Sequence, residues 1–262
     1  MTPSGTPASP IRREPPTFRR AAVIRAEHLT PHMRRIVLGG EEFDGLVIDE
    51  PASSVRLLLP PTDGGELLLP TWTGNQFELA DGSRAPIRTF TPRHFDAAAR
   101  ELTIDVVLHE GGAASAWAAS AEAGGQVAVS GPGRGYEIDT SAGSYLLAGD
   151  ETAIPAIAQL LETLPEHTKT QVIIEVTTPD AQLALPDHPR SNAQWRVLDD
   201  GAVPGSALVE AVTSLVEIPP AVWVAGEAAA VQKIRKHLFD ERGMTRSAAT
   251  VRGYWKRGRS AT

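Results

Sequence analysis

Near Tyr136 the chain changes rhythm, and its two halves call for different kinds of sheet. Before that point short β-type runs follow one another: Phe18–Leu29, Arg34–Gly39, Ser54–Leu59, Arg88–Thr91, Leu102–Leu108 and Gln126–Ser130. Pro60-Pro61, Asp63-Gly64-Gly65 and Asp81-Gly82 supply turns between them. Such a series predicts a closed or nearly closed antiparallel barrel, interrupted by one Ala-rich helix over Ala113–Ala121. After Tyr136, apolar strands at 144–149, 170–178, 194–198 and 221–226 alternate with helical spacing at 153–164, Ser206–Val216 and Glu227–Phe239. That alternation predicts a parallel sheet covered on both faces. The expected fold is β-barrel plus α/β: a disordered leader over 1–16, a barrel over 17–138, and an α/β domain with a basic C-terminal segment over 139–262.

Composition narrows the chemistry. The 262 residues include no cysteine, which excludes disulfides, thiolate catalysis, and Cys-ligated zinc or iron–sulfur centres. No apolar run approaches the about 18 residues of a membrane span, and the Pro-rich start lacks a signal-type apolar stretch. A cytoplasmic protein, monomeric and without membrane insertion, is expected. Charge is unevenly placed: +5 over Arg12–Arg35, −19 over Ile36–Ala230 and +7 over Val231–Thr262. An acidic body with basic ends argues against nucleic acid as a partner. The basic end reads either as solvated surface or as a local anion site.

Five segments carry candidate chemistry. In Arg88-Thr89-Phe90-Thr91 a strand offers a guanidinium suited to phosphate, an aromatic face, and a hydroxyl or N–H, although an ordinary barrel strand reads the same way. In the segment from Val107 through His109 to Gly112-Ala113-Ala114-Ser115, a strand ends in a Gly turn and a small-residue helix begins. Its free N–H groups suit a pyrophosphate, with Ser115 adding a hydroxyl. His109 either contacts a cofactor or satisfies a local polar group. Gly149-Asp150-Glu151-Thr152 and Gly226-Glu227 are strand–Gly–helix starts of the kind that meets a dinucleotide, but their carboxylates oppose a pyrophosphate unless they point away. Arg252, Tyr254, Trp255, Lys256 and Arg257 form an aromatic and basic group near the C-terminus. It reads either as a ligand edge or, for Trp255, as core closing the last strand.

In this order and spacing, LTPHMRRIVLGG, RTFTPR, DVVLHEGGAASAWA, SGPGRGYE, LLAGDETAIPAIAQLLETLP, VAGEA and GYWKRG closely resemble the siderophore-interacting protein family of FAD-dependent ferric-siderophore reductases, from about Ala22 to Gly258. The resemblance implies that the barrel holds FAD through Arg88, Thr89, Phe90, Thr91, Val107, His109 and Gly112–Ser115. It puts Gly149–Thr152, Gly226 and Glu227 on the nicotinamide side, and Arg134, Arg252 and Tyr254–Arg257 at the siderophore and flavin edge. Phe90 stands where relatives usually carry Tyr, and Ala113 where they often carry Pro.

The function so implied passes electrons from NADH or NADPH through FAD to Fe(III) in a ferric siderophore, releasing Fe(II). The flavin carries the chemistry, so neither a catalytic side chain nor a metal site is expected. The turn Thr177-Thr178-Pro179-Asp180 has no base for a 2′-phosphate, which favours NADH, with Arg190 the residue that could fold over it. Two alternatives belong to other classes: a diaphorase-type donor to a partner protein and a non-enzymatic siderophore-binding module. A ferredoxin-like protein is a further possible donor.

Overall fold

The computed structural model describes residues 17–61, 64–74 and 76–258. The expected leader over 1–16 lies outside the described residues. The first half contains β1 (Phe18–Thr30), β2 (Met33–Gly39), β3 (Val55–Leu58), β4 (Thr71–Trp72), β5 (Phe77–Glu78), β6 (Ile87–Phe90), β7 (Pro92–Asp96), β8 (Glu101–Val107), α1 (Ala113–Ser120) and β9 (Gln126–Ser130). Seven of these strands form one antiparallel sheet in the order β6-β3-β9-β1-β2-β8-β7.

Its two edge strands, β6 and β7, are consecutive in the chain and separated by Thr91 alone, so the sheet must curl until its edges meet. The result is a half-barrel rather than a hydrogen-bonded ring. Pro92, at the start of β7, has no N–H to extend the ladder. Alternating residues such as Val23, Ile36, Leu57, Ile104 and Val129 fill the inside, and α1 adds Ala118 and Trp117. The small hairpin of β4 and β5 lies over the outside, where Phe77 packs against a cluster of Phe18, Leu58 and Ala128.

The second half contains β10 (Ser144–Asp150), α2 (Ile154–Thr163), β11 (Lys169–Val176), β12 (Ser191–Val197), α3 (Ser206–Thr213), β13 (Ala221–Glu227), α4 (Ala228–Lys236) and β14 (Ala249–Trp255). The sheet is wholly parallel, in the order β12-β11-β10-β13-β14. Because β10 sits between β11 and β13, the chain reverses its direction of winding there, and a crevice opens at the carboxyl ends of β10 and β13. The helix expected to reach Phe239 gives way at His237 to a π-helical turn, His237–Glu241, before the left-handed Gly243.

One apolar cluster joins the halves. Met33 and Ala52 from the first half are buried with Leu147, Ile157 and Trp223 from the second, and Leu29 and Val107 pack on the same cluster. Polar ties surround it. Arg93 makes a two-pronged ion pair with Glu162 of α2 at 2.9 and 2.6 Å, and the Ala52 N–H donates to Gln159 Oε1 at 2.9 Å. With a shared core, the halves form one packed unit rather than two hinged ones.

Candidate flavin and nucleotide site

Strand register decides which side chains of β6 share a face. Arg88 lies opposite Leu57 and Phe90 opposite Val55, so both point to the inner side of the half-barrel. Thr89 lies opposite Arg56 on the other face and is exposed. The expected four-residue contact therefore divides: Thr89 does not join Arg88 and Phe90. The Arg88 guanidinium donates to the Ile87 carbonyl at 2.9 Å and meets no carboxylate among the described residues. Burial holds its pKa below the ordinary arginine value. A half-buried cation without a counter-charge is a place for an anion.

Phe90 and Ala114 both pack on the core of the half-barrel. The turn between β8 and α1 is braced from within. The His109 N–H donates to Ser115 Oγ at 2.8 Å, and that hydroxyl donates back to the His109 carbonyl at 2.7 Å. Ser115 Oγ thus braces the turn and keeps one lone pair free to accept from a ligand. The His109 ring lies over Gly112, with Nδ1 3.0 Å from the Glu110 carbonyl oxygen. Val107 is also reassigned, since its side chain packs into the core shared with the second half.

No side chain caps α1 at Gly112. At the other end of this helix Arg34, which the sequence reading passed over, donates to the carbonyls of Ala118, Ala119 and Ala121 at 2.7, 2.5 and 3.0 Å. The negative end of the helix is thereby closed by a cation, while the positive end at Gly112 stays open. These features fit a dinucleotide flavin. Arg88 and the first N–H groups of α1 would hold its phosphates, and Phe90 would face its ring.

The carboxylates at the crevice are turned inward onto the protein. Asp150 Oδ1 accepts from the Thr152 N–H and hydroxyl at 3.0 and 2.5 Å. Its Oδ2 accepts from the Glu227 N–H and from Trp255 Nε1, both at 2.8 Å. Glu151 Oε1 accepts from the N–H and hydroxyl of Thr177. Glu227 caps α4, accepting from the N–H groups of Ala229 and Ala230. Glu175, missed in the sequence, caps α3 through Gly205 and Leu208. Gly149 leaves no room for a Cβ, which would lie 2.4 Å from that of Ala153. What the crevice presents is backbone, not free acid. Arg190 sits at the amino end of the sheet, donating to the His167 carbonyl, and does not reach the turn after β11.

The C-terminal group divides as well. Arg252 donates to the carbonyls of Ala52, Gly135 and Arg134 at 3.0, 2.7 and 3.4 Å, so it clamps β14 to the first half rather than facing a ligand. Tyr254 meets Trp223 edge to face at 6.2 Å between ring centres, and its hydroxyl accepts from Thr91 Oγ1 at 3.4 Å. The core reading of Trp255 does not hold, since that ring is exposed. Trp255 ends a paired strand, and Tyr254 touches the end of the β6 motif. Arg134, Lys256 and Arg257 are exposed, as is Arg56, a further cation opposite Thr89 and Ser130 that sequence reasoning missed. The other bases of the C-terminal stretch lie elsewhere. Lys233, Arg235 and Lys236 ride on α4, which packs on the sheet face opposite the first half, and Arg235 and Arg246 flank Phe239.

A half-barrel followed by a doubly wound parallel sheet is a fold of the ferredoxin-reductase class, shared with the cytochrome P450 reductase GcoB of Amycolatopsis and with phthalate dioxygenase reductase. Within that class, the family model described as "Siderophore-interacting FAD-binding domain" matches residues 22–136, and "Siderophore-interacting protein" matches residues 142–258. The chain belongs to the siderophore-interacting protein family and is an oxidoreductase with an FAD-binding domain. An uncharacterised protein of Mycobacterium tuberculosis is 41% identical over 254 residues, covering 91% of this chain and 90% of the relative. The NADPH-dependent ferric-chelate reductase of Escherichia coli is 30% identical, with 96% of this chain and 98% of the relative covered. The crystal structure of a siderophore utilization protein from T. fusca superposes with a TM-score of 0.84 at 35% identity, covering 95% of this chain and 96% of the other.

Proposed function

We propose that this chain reduces iron held in ferric siderophores, taking electrons from NADH or NADPH by way of FAD. The observation that carries the reading is the hydrogen bond by which Tyr254 of the second half meets Thr91, at the end of the strand that holds Arg88 and Phe90. When bound, FAD supplies the conversion of a hydride from the nicotinamide into single electrons for Fe(III). The rest is binding and orientation by the chain. Arg88 and α1 fix the phosphates, Phe90 supports the ring, and Thr91 with Tyr254 borders the reacting edge. No side chain acts as an acid or base.

The nicotinamide dinucleotide belongs at the switch point between β10 and β13, where the backbone is left to receive it. The turn after β11 carries no Lys or Arg of its own, which favours NADH, although His32 Nε2 lies 3.5 Å from Asp180 Oδ1 there and the E. coli relative is named for NADPH. A bulky chelate requires an open mouth, and the exposed cations Arg56, Arg134, Lys256 and Arg257 suit an anionic one. Hard oxygen ligands hold Fe(III) more tightly than Fe(II), so reduction frees the metal. Among the described residues no helix is long and apolar enough to cross a membrane. We place the protein in the cytoplasm, acting as a monomer, with a ferredoxin-like protein as the alternative donor.

Supplied with FAD, NADH and a ferric siderophore, the purified protein is expected to form Fe(II), trapped by a ferrous chelator, and Phe90→Ala is expected to slow it. Tight siderophore binding without any Fe(II) would make it a binding module instead.

A further inference from the structure

We propose that Asp150 is a positioning residue: through Trp255, its buried carboxylate fixes the bulge that sets Tyr254 against Thr91 at the flavin end of the site. The proposal rests on the reductase reading for its kinetic consequence, but its structural half does not.

Register shows the bulge directly. Gly226 of β13 pairs with Gly253 and Glu227 pairs with Trp255, leaving Tyr254 as the extra residue. A bulge re-aims side chains, and here it turns Tyr254 toward Thr91 and Trp223. Something must hold the strand beyond it. Trp255 is 36% exposed, too open for packing alone to fix its ring, and its indole N–H donates to Asp150 Oδ2 at 2.8 Å. That bond reaches from β14 across β13 to the end of β10. The site has been shaped around it. Gly226 has a φ of 154°, and a Cβ there would stand 2.6 Å from Asp150 Oδ2, so a side chain at 226 would push the carboxylate away.

The chemistry requires a carboxylate in particular. All four partners of Asp150 are donors: two on Thr152, one on Glu227 and one on Trp255. An asparagine would have to turn its NH2 toward two of them and lose both bonds. Other groups already perform the purely structural duties nearby. Glu227 caps α4, and Arg252 clamps β14 to the first half. The bond from Asp150 to Trp255 is therefore free to serve the geometry of Tyr254.

The test uses Asp150→Asn, Trp255→Phe and the double variant of the full chain. In the FAD-free protein, Asp150→Asn is expected to speed hydrogen exchange of the Trp255 indole N–H by about tenfold. In the FAD-loaded protein, each single variant should lower kcat for NADH-driven iron reduction by about the same factor, with KM for the chelate unchanged. The double variant should be no slower than either single one. Unchanged indole exchange, or losses that multiply in the double variant, would overturn the proposal. If Asp150→Asn does not fold, Trp255→Phe decides alone: lowered kcat at an unaltered melting temperature supports the proposal, and wild-type kcat overturns it. A wild-type protein that reduces no iron would sink the reductase reading, while the exchange result would still judge the tie between Asp150 and Trp255.

Discussion

Arg88 meets no carboxylate among the described residues, and burial already works against its charge. Its removal should leave the fold intact and weaken FAD binding by about 1.5–3 kcal/mol, the worth of a charge-assisted bond. Titration of apo-protein with FAD measures this for Arg88→Ala, with Thr89→Ala as the control expected to bind normally. Equal affinity of Arg88→Ala and wild type would contradict the assignment. At this scale the sequence made residue types legible but not the facing of side chains. The contact motif was read as one block, yet strand alternation splits Thr89 from Arg88 and Phe90. Arg252 looks like a ligand group in the sequence because a guanidinium suits anions, and nothing local announces a backbone carbonyl brought from 117 residues away. Asp150 and Glu151 posed the opposite difficulty. They looked hostile to a dinucleotide until their bonds showed them turned inward.

β14 is the element whose role changed most between sequence and structure. Its residues, Ala249–Trp255, pair with β13 along most of their length, and Arg252 carries three carbonyl contacts into the first half. Truncation after Thr250 would cut into the sheet as well as into the aromatic and basic end. It should cost stability as well as rate. The point variant Arg252→Ala should lower unfolding free energy by about 1.5–3 kcal/mol in chemical denaturation. Arg252→Lys should recover less than half, because an ammonium cannot reach divergent carbonyls as a planar fork does. No loss in Arg252→Ala would show that the clamp is idle. Strongly periodic elements such as β10, α2 and β11 were legible within a residue or two. The strand β7 was not, because it begins with Pro92 and exposes alternate polar residues, as an edge strand does.

For the whole molecule, two consequences follow from shared burial and divided charge. All three tyrosines, Tyr136, Tyr145 and Tyr254, have pKa values raised above 10.0 by burial. A raised acid favours its neutral form when folded. This contribution to stability is complete below pH 10 and is lost as pH rises from the unfolded value through the folded ones. Native protein should therefore show less tyrosinate absorbance near pH 10 than the denatured chain at the same pH. Equal titration in the two states would refute the burial. The second consequence concerns salt. The net charge is −7, and the bases behind the C-terminal +7 are dispersed: Lys233, Arg235 and Lys236 ride on α4 on the far sheet face, Arg252 is in the clamp, and Lys256 and Arg257 are exposed. Screening over about 10 Å in 0.1 M salt should weaken capture of an anionic ferric catecholate and spare a neutral hydroxamate. Reversing Lys256 and Arg257 to Glu should flatten the catecholate curve, whereas reversing Lys233 and Lys236 should not. Identical curves for the two chelates would leave the mouth without a steering role.

That electrons cross this molecule from nicotinamide to chelated iron is tested most directly by separating the two half-reactions under anaerobic conditions. The FAD-loaded protein is mixed first with NADH or NADPH, and its flavin absorbance is followed; a ferric siderophore is then added together with a ferrous trap. Expected is bleaching by the nicotinamide, then recovery of the oxidised spectrum on addition of the chelate, with two Fe(II) trapped for each flavin reoxidised. A flavin that reduces but stays bleached in the presence of ferric siderophore would contradict iron reduction as the function of this site.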